Sequence, residues 1–248
     1  MPFAPTTALQ EQLRQRLLAG TGGETLLLLE HHPVITLGRS AADQHVLVAE
    51  SELERRGVEL HRASRGGDVT FHGPGQLVGY PVLRLDRGVV GHLRAMADGL
   101  AEVLGALGIT AFWRREAPGL WIKDESGGAG AVSSGAAMYK ICSFGVNVHR
   151  RVAIHGFALN VAVDLDAFRL IVPCGLDGVQ MTSIERVLDR SRVAVPTLEA
   201  LAGDVASAFC RSFGRSFARA SSAEVRASSA DVRASCAEVI AETIGDRI

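Results

Sequence analysis

The order of apolar runs predicts an α+β protein. Strand-like runs at 26–29, 77–85, 140–148 and 153–163 stand among helix-like segments at 8–19, 91–107 and 197–213. Two of those runs, 140–148 and 153–163, are separated only by a turn at Arg150-Arg151, so they read as paired strands. At 248 residues the chain suffices for one large domain or two small ones and can bury a sizeable core.

The first helix rests on Leu9, Leu13, Leu17 and Leu18, and Gly20 with Gly22-Gly23 ends it. Residues 25–38 predict a strand, a turn at Pro33 and a second strand. The uniformly apolar 26–29 suits a strand covered on both faces. His31 and His32 fall at the turn, where a solvated or capping role is expected. Gly38-Arg39 closes the second strand and could meet an anionic group. Ser51–Arg56 predicts a short helix with Ser51 as N-cap and Glu54 completing a capping box, and Val58–Arg62 a short strand. Ile109–Trp113 and Gly119–Lys123 predict two more strands around a turn at Glu116-Ala117-Pro118. Asp124–Ala137, rich in Gly and Ser, reads as a surface loop. Phe168–Val172 reads as a strand leading to Pro173-Cys174-Gly175, and Thr182 to Glu185 as a capping box opening a short helix. Thr197 opens the last helix.

The tail carries three near-identical heptads, RASSAEV, RASSADV and RASCAEV, at 219–239. Their alanines alternate at spacings of three and four, but alanine buries little surface. Two units are therefore expected: 1–218 as a single catalytic domain, and 219–248 as a heptad-repeat tail, helical or disordered. Cys236 arises as a Ser-to-Cys variation within a repeat, which argues against chemistry there.

Apolar residues form 47% and charged residues 21% of the chain, and the net charge is -1. Nothing in that balance favours nucleic acid or an anionic membrane. The N-terminus lacks a signal-peptide profile, and no apolar run approaches the roughly 20 residues of a membrane span. A cytoplasmic setting with free thiols is expected. There is no CxxC and no Cys/His cluster of zinc spacing, so no metal is expected. GxxxxGK[ST], GxGxxG and GxSxG are all missing, so no motif calls for ATP, a dinucleotide or a serine-hydrolase elbow, and no cofactor is expected.

The chemistry-bearing residues concentrate in 139–176. Lys123 and Lys140 are the only lysines among 26 basic residues. Lysine can give up its proton at an accessible pH and arginine in practice cannot. Cys174 follows a strand and Pro173, and Gly175 after it lets backbone N–H groups face an acyl oxygen. Lys140 is a candidate to favour its thiolate or take its proton. His72 and His155, each preceding a glycine, are the rival bases or else satisfied interior histidines. Cys142 and Cys210 read as core. The glycine-rich 65–75 demands close backbone approach.

The run RGGDVTFHGPGQLVGYP, then Lys140, HGFALNV and PCGL in that order, resembles the lipoyl(octanoyl) transferases. The resemblance spans 25–190 and includes LLLLEHHPVITLGR. It implies the biotin/lipoate protein ligase fold: a mixed β-sheet core flanked by helices, with a smaller adjacent sheet. It implies transfer of an octanoyl group from octanoyl-acyl carrier protein to a lysine of an acceptor. The acceptors implied are lipoyl domains of 2-oxoacid dehydrogenases and the glycine cleavage H protein. Cys174 is expected to carry the acyl thioester and Lys140 to tune the thiol and shuttle protons. Arg65, Gly66, Gly67, Asp68, Val69, Thr70, Phe71 and His72 are expected to line the acyl pocket. So are Ser143, Phe144 and Gly145, and His155, Gly156 and Phe157. Phe71 stands where a tyrosine is usual, and the heptad tail has no counterpart in the family. The alternatives are an ATP-dependent lipoate or biotin ligase, an enzyme moving octanoyl between lipoyl-bearing proteins, and a non-enzymatic acyl-binding module.

Overall fold

The computed structural model describes residues 1–123, 138–173, 179–188, 193–219 and 239–243. Helix α1 (Phe3–Ala19) leads into β1 (Thr25–Leu29) and β2 (Val34–Leu37). Helix α2 (Glu50–Arg55), β3 (Glu59–Arg62), β4 (Val69–His72) and β5 (Gln76–Val82) follow. Next come α3 (Gly88–Ala106), β6 (Phe112–Trp113) and β7 (Gly119–Lys123), then the long hairpin of β8 (Met138–His149) and β9 (Val152–Asn160). The described chain ends with β10 (Gln180–Met181), α4 (Ile184–Val187), α5 (Leu198–Phe213), β11 (Phe217–Arg219) and β12 (Val239–Thr243).

The large sheet runs β11-β12-β1-β5-β9-β8-β7-β6, antiparallel throughout, with β10 added parallel to β8. The small sheet is β3-β2-β4, with β2 parallel to β3 and antiparallel to β4. This is the mixed sheet with a smaller neighbour that the family resemblance implies. The run 25–38 does give two strands, but they belong to different sheets.

Both faces of the large sheet are covered, which is why 26–29 is uniformly apolar. On one side α3 and α5 bury Leu100, Leu104, Val205 and Phe209 against Leu26, Leu77, Leu120 and Leu159. Phe209 meets Phe157 edge-on at 5.5 Å. On the other side α1 sets Leu9 and Leu17 over β1, β5 and β9. The small sheet has its own core, Ile35, Leu37, Val69 and Phe71 against Phe168 and Leu170.

Several local expectations are corrected. His31 is buried, not solvated, because the start of α1 folds over it: its Nδ1 lies 2.9 Å from the Met1 carbonyl. His32 is exposed as expected. Helix α2 starts at Glu50 with Ala49, not Ser51, as its N-cap and no side-chain cap, and Glu50 and Glu52 instead place negative charge on its first turn. Residues 165–170 form a 3₁₀ helix where a strand was expected over 168–172, because the Asp164 carboxylate caps it by accepting from the Asp166 N–H. The cap of α4 is Ser183, not Thr182, which is buried. Cys142 is core, whereas Cys210 is only half-buried. Thr197 caps α5 as expected, its Oγ1 accepting from the Ala200 N–H.

Cys174, the Gly/Ser stretch 124–137 and the heptads between Arg219 and Val239 lie outside the described residues. Within the stretch expected as a helical or disordered tail, Val239–Thr243 pairs with both β1 and β11.

Candidate active site

The site begins with an irregularity in β8. Trp121 pairs with Lys140 and Leu120 with Cys142, so Ile141 is an extra residue opposite β7. Such a bulge reverses the inside–outside alternation at that point. Lys140 therefore shares a face with Ser143 and Gly145, while Ile141 and Cys142 both enter the core. Beyond the end of β9, β10 takes over the same edge of β8, with Met181 in register with Lys140. The Thr182 N–H donates to the Lys140 carbonyl at 3.0 Å. Lys140 thus sits mid-sheet with ladders on both sides, 2% exposed. Its Nζ lies 5.3 Å from the Trp121 ring centre, and its Cε occupies space that a side chain at Gly119 would fill.

Lys140 opens on a cavity of about 440 Å³, within the range of small-molecule sites. The wall facing β8 and β9 is the glycine-rich loop before β4. It is seated by the Gly66 N–H donating to the Val146 carbonyl at 2.9 Å. A Cβ at Gly145 would strike the Gly66 carbonyl and Arg65. The buried Arg65 guanidinium shapes the loop, donating to the carbonyls of Gly66, Asp68 and Thr36 and to Thr36 Oγ1. The Asp68 carboxylate accepts from the Val69 N–H and faces His45 Nδ1 at 2.9 Å.

His72 and His155 line the cavity, His31 is bonded to Tyr80 of its wall, and burial holds each of the three neutral. His31 is pushed down to about 4 and His155 to about 3, and His72 falls well below the usual imidazole value. Their hydrogen bonds define the tautomers. Gln76 Nε2 donates to Phe71 and Asn160, so its Oε1 accepts from His72 Nδ1–H at 2.8 Å. Thr36 Oγ1, already accepting from Arg65, donates toward His72 Nε2 at 3.4 Å. His31 donates from Nδ1 to the Met1 carbonyl and accepts the Tyr80 hydroxyl proton at 2.7 Å. Of the roles left open for His72, the satisfied interior histidine matches these partners. The chain of bonds continues: Asn160 Nδ2 donates to the Thr182 carbonyl at 2.9 Å, and so joins His72 to the strand beside Lys140.

The cavity brings together Lys140, Arg65 to Thr70, His72, Ser143 to Gly145 and His155 to Phe157. Phe71 is not on its wall. Side chains alternate along β4, so Phe71 points away and meets Phe168 edge-on at 5.7 Å. Phe3, Val89, Leu93, Ala117 and Pro118 also line the cavity without any sequence signal for that role, and so do Tyr80 and Ala158, which stand in the runs that carry the family resemblance. Arg39 lines it as well, at the position noted after Gly38.

A family profile described as the lipoyl protein ligase A/B catalytic domain matches residues 2–209. The chain belongs to this family. An octanoyltransferase of Koribacter versatilis is 42% identical over 86% of this chain and 80% of its own length. An octanoyltransferase of Myxococcus xanthus is 42% identical over 78% of this chain, which spans about half (52%) of that relative. Within the family, then, this member is an acyltransferase. The fold is shared with a solved bi-partite lipoate protein ligase of Thermoplasma acidophilum, at TM-score 0.61, 16% identity and coverage of 86% and 81% of the two chains.

Proposed function

We propose that this octanoyltransferase-family member moves an octanoyl group, in lipoate biosynthesis, from octanoyl-acyl carrier protein to a lysine of lipoyl domains. The carrier of the acyl group is Cys174. Lys140 takes the Cys174 thiol proton, the thiolate attacks the donor carbonyl, a C–S bond forms to Cys174 as the carrier protein's C–S bond breaks, and the carrier protein recovers the proton from Lys140 and leaves as a thiol. The acceptor amine then attacks the Cys174 thioester, the amide forms, and the cysteine thiol is restored. Lys140 takes the proton that the amine loses and passes it to the Cys174 sulfur as the thioester C–S bond breaks. Exchange between thioesters keeps the acyl group activated, so ATP has no step to drive. Acceptors of this chemistry include lipoyl domains of 2-oxoacid dehydrogenases and the glycine cleavage H protein. The setting is cytoplasmic; among the described residues no helix is long and apolar enough to cross a membrane.

The observation that supports this reading is the placement of Lys140. The one lysine of the long hairpin is buried at the wall of the cavity. It is also paired with β10, the strand reached directly after the segment that carries Cys174.

The test is intact mass after incubation with octanoyl-acyl carrier protein and no ATP. One octanoyl group is expected on the wild type and none on Cys174→Ala. Lys140→Met should slow transfer to a lipoyl domain by about 10²–10⁴, the usual contribution of a positioned acid–base group. Equal acylation of Cys174→Ala, or a strict need for ATP, would sink the proposal.

A further inference from the structure

Lysine carries its amine on a flexible four-carbon stem, so a lysine that moves protons at one fixed place needs a seat for that amine. On the octanoyl-transfer reading above, Lys140 is such a residue. The strand beside it builds the seat.

β7 supplies both halves. Gly119 and Trp121 are two positions apart and so share a face of the strand, while Leu120 between them enters the core. Gly119 stands at φ 151, and a Cβ there would come within 2.6 Å of Lys140 Cε. The stem of Lys140 runs through the space that this missing side chain leaves. At its end Nζ lies over the ring of Trp121, the register partner of Lys140, 5.3 Å from the ring centre. The ring is itself fixed. It is 3% exposed, and its Nε1–H donates at 3.0 Å to the Ala117 carbonyl in the turn before β7. The Arg114 guanidinium lies over the same ring at 5.1 Å. Lys140 is on the cavity wall, whereas Trp121 is not among the described residues that line it.

We propose that Trp121 is a positioning residue for Lys140, its ring aiming the amine and stabilising the positive charge that forms there. This rests on the octanoyl-transfer reading, with Lys140 as the group that moves the protons. Each time Lys140 takes a proton, from the Cys174 thiol or from the acceptor amine, an ammonium forms over the electron-rich face of a buried indole. Such an attraction is larger where water is kept out. It arises with the charge, so it favours the proton-transfer step and not the binding of either partner.

Fluorine on an indole weakens its pull on a cation and hardly changes its shape, which separates this role from packing. With Trp113→Phe as background, Trp121 is the one remaining tryptophan of the chain, and it is replaced by mono-, di- and trifluorotryptophan. In transfer from octanoyl-acyl carrier protein to a lipoyl domain, kcat should fall stepwise with each fluorine while the KM for the domain stays unchanged. Trp121→Leu, which removes the ring, should lower kcat by about 5–30-fold. Adding Lys140→Met should erase the dependence on fluorine. If Trp113→Phe does not fold, fluorotryptophan placed at position 121 alone carries the comparison. A kcat that is the same from tryptophan to trifluorotryptophan would overturn the proposal and leave Trp121 as packing, as would an equal fall in the Lys140→Met variant. Transfer that Lys140→Met leaves at the wild-type rate, or no transfer by the wild type, would instead overturn the octanoyl-transfer reading, and this proposal with it.

Discussion

Each buried histidine binds no proton at neutral pH because of its own surroundings, and stability inherits that property. His31, His72 and His155 titrate well below an unfolded-chain histidine, as does His92 in the core beside Phe213, pushed down to about 4 by burial alone. Between the folded and unfolded values the unfolded chain binds more protons. Stability is then whole above about pH 6.5 and falls as the pH drops toward 4, at about 1.4 kcal/mol per pH unit for each such histidine. Urea midpoints should therefore decline steeply from pH 7 to pH 5. A flat profile would mean that these rings are not buried as described. Little in the sequence warns of this cluster. His72 and His155 stand out through the glycines after them, but His31 looked like a turn residue because its partners, Met1 and Tyr80, are remote in the chain.

At the scale of elements, what was legible depended on local causes. Helix α5 was readable from Thr197 and the apolar stripe behind it, since a cap and a 3.6-residue period are both written locally. The β8–β9 hairpin was readable too, with Arg150 and Arg151 both at positive φ in its turn. The bulge at Ile141 was not, because it is a property of the pairing with β7, yet it turns Lys140 into the cavity. The heptads belong to this scale as well. They occupy the connection between the antiparallel partners β11 and β12. If that connection contributes only its closure entropy, removing one heptad (226–232) changes stability by about 0.4 kcal/mol. The melting temperature of the deletion variant should accordingly stay within a degree or two of the wild type. A larger loss would show that the repeats pack against the domain.

For the whole molecule, the site is a meeting of surfaces and not of neighbours in sequence. The runs 65–72, 143–145 and 155–157 were expected at the pocket through the family resemblance, and all of their residues but Phe71 line it. Phe3, Tyr80, Leu93 and Pro118 reach the same cavity only when α1, β5, α3 and the turn before β7 are packed around it. Gln10 on α1 accepts the N–H of His155, a residue held at φ 59, across 145 positions. The burial of Lys140 has one more consequence at this scale. Lys123, exposed at the end of β7, is the one other ε-amine of the chain. Brief treatment with an amine-reactive ester should modify Lys123 and spare Lys140 until the protein is denatured. Peptide mapping that found both labelled equally would contradict the buried site. On the proposed transfer to a partner's lysine, a chain with a single exposed lysine of its own has little with which to intercept the acyl group.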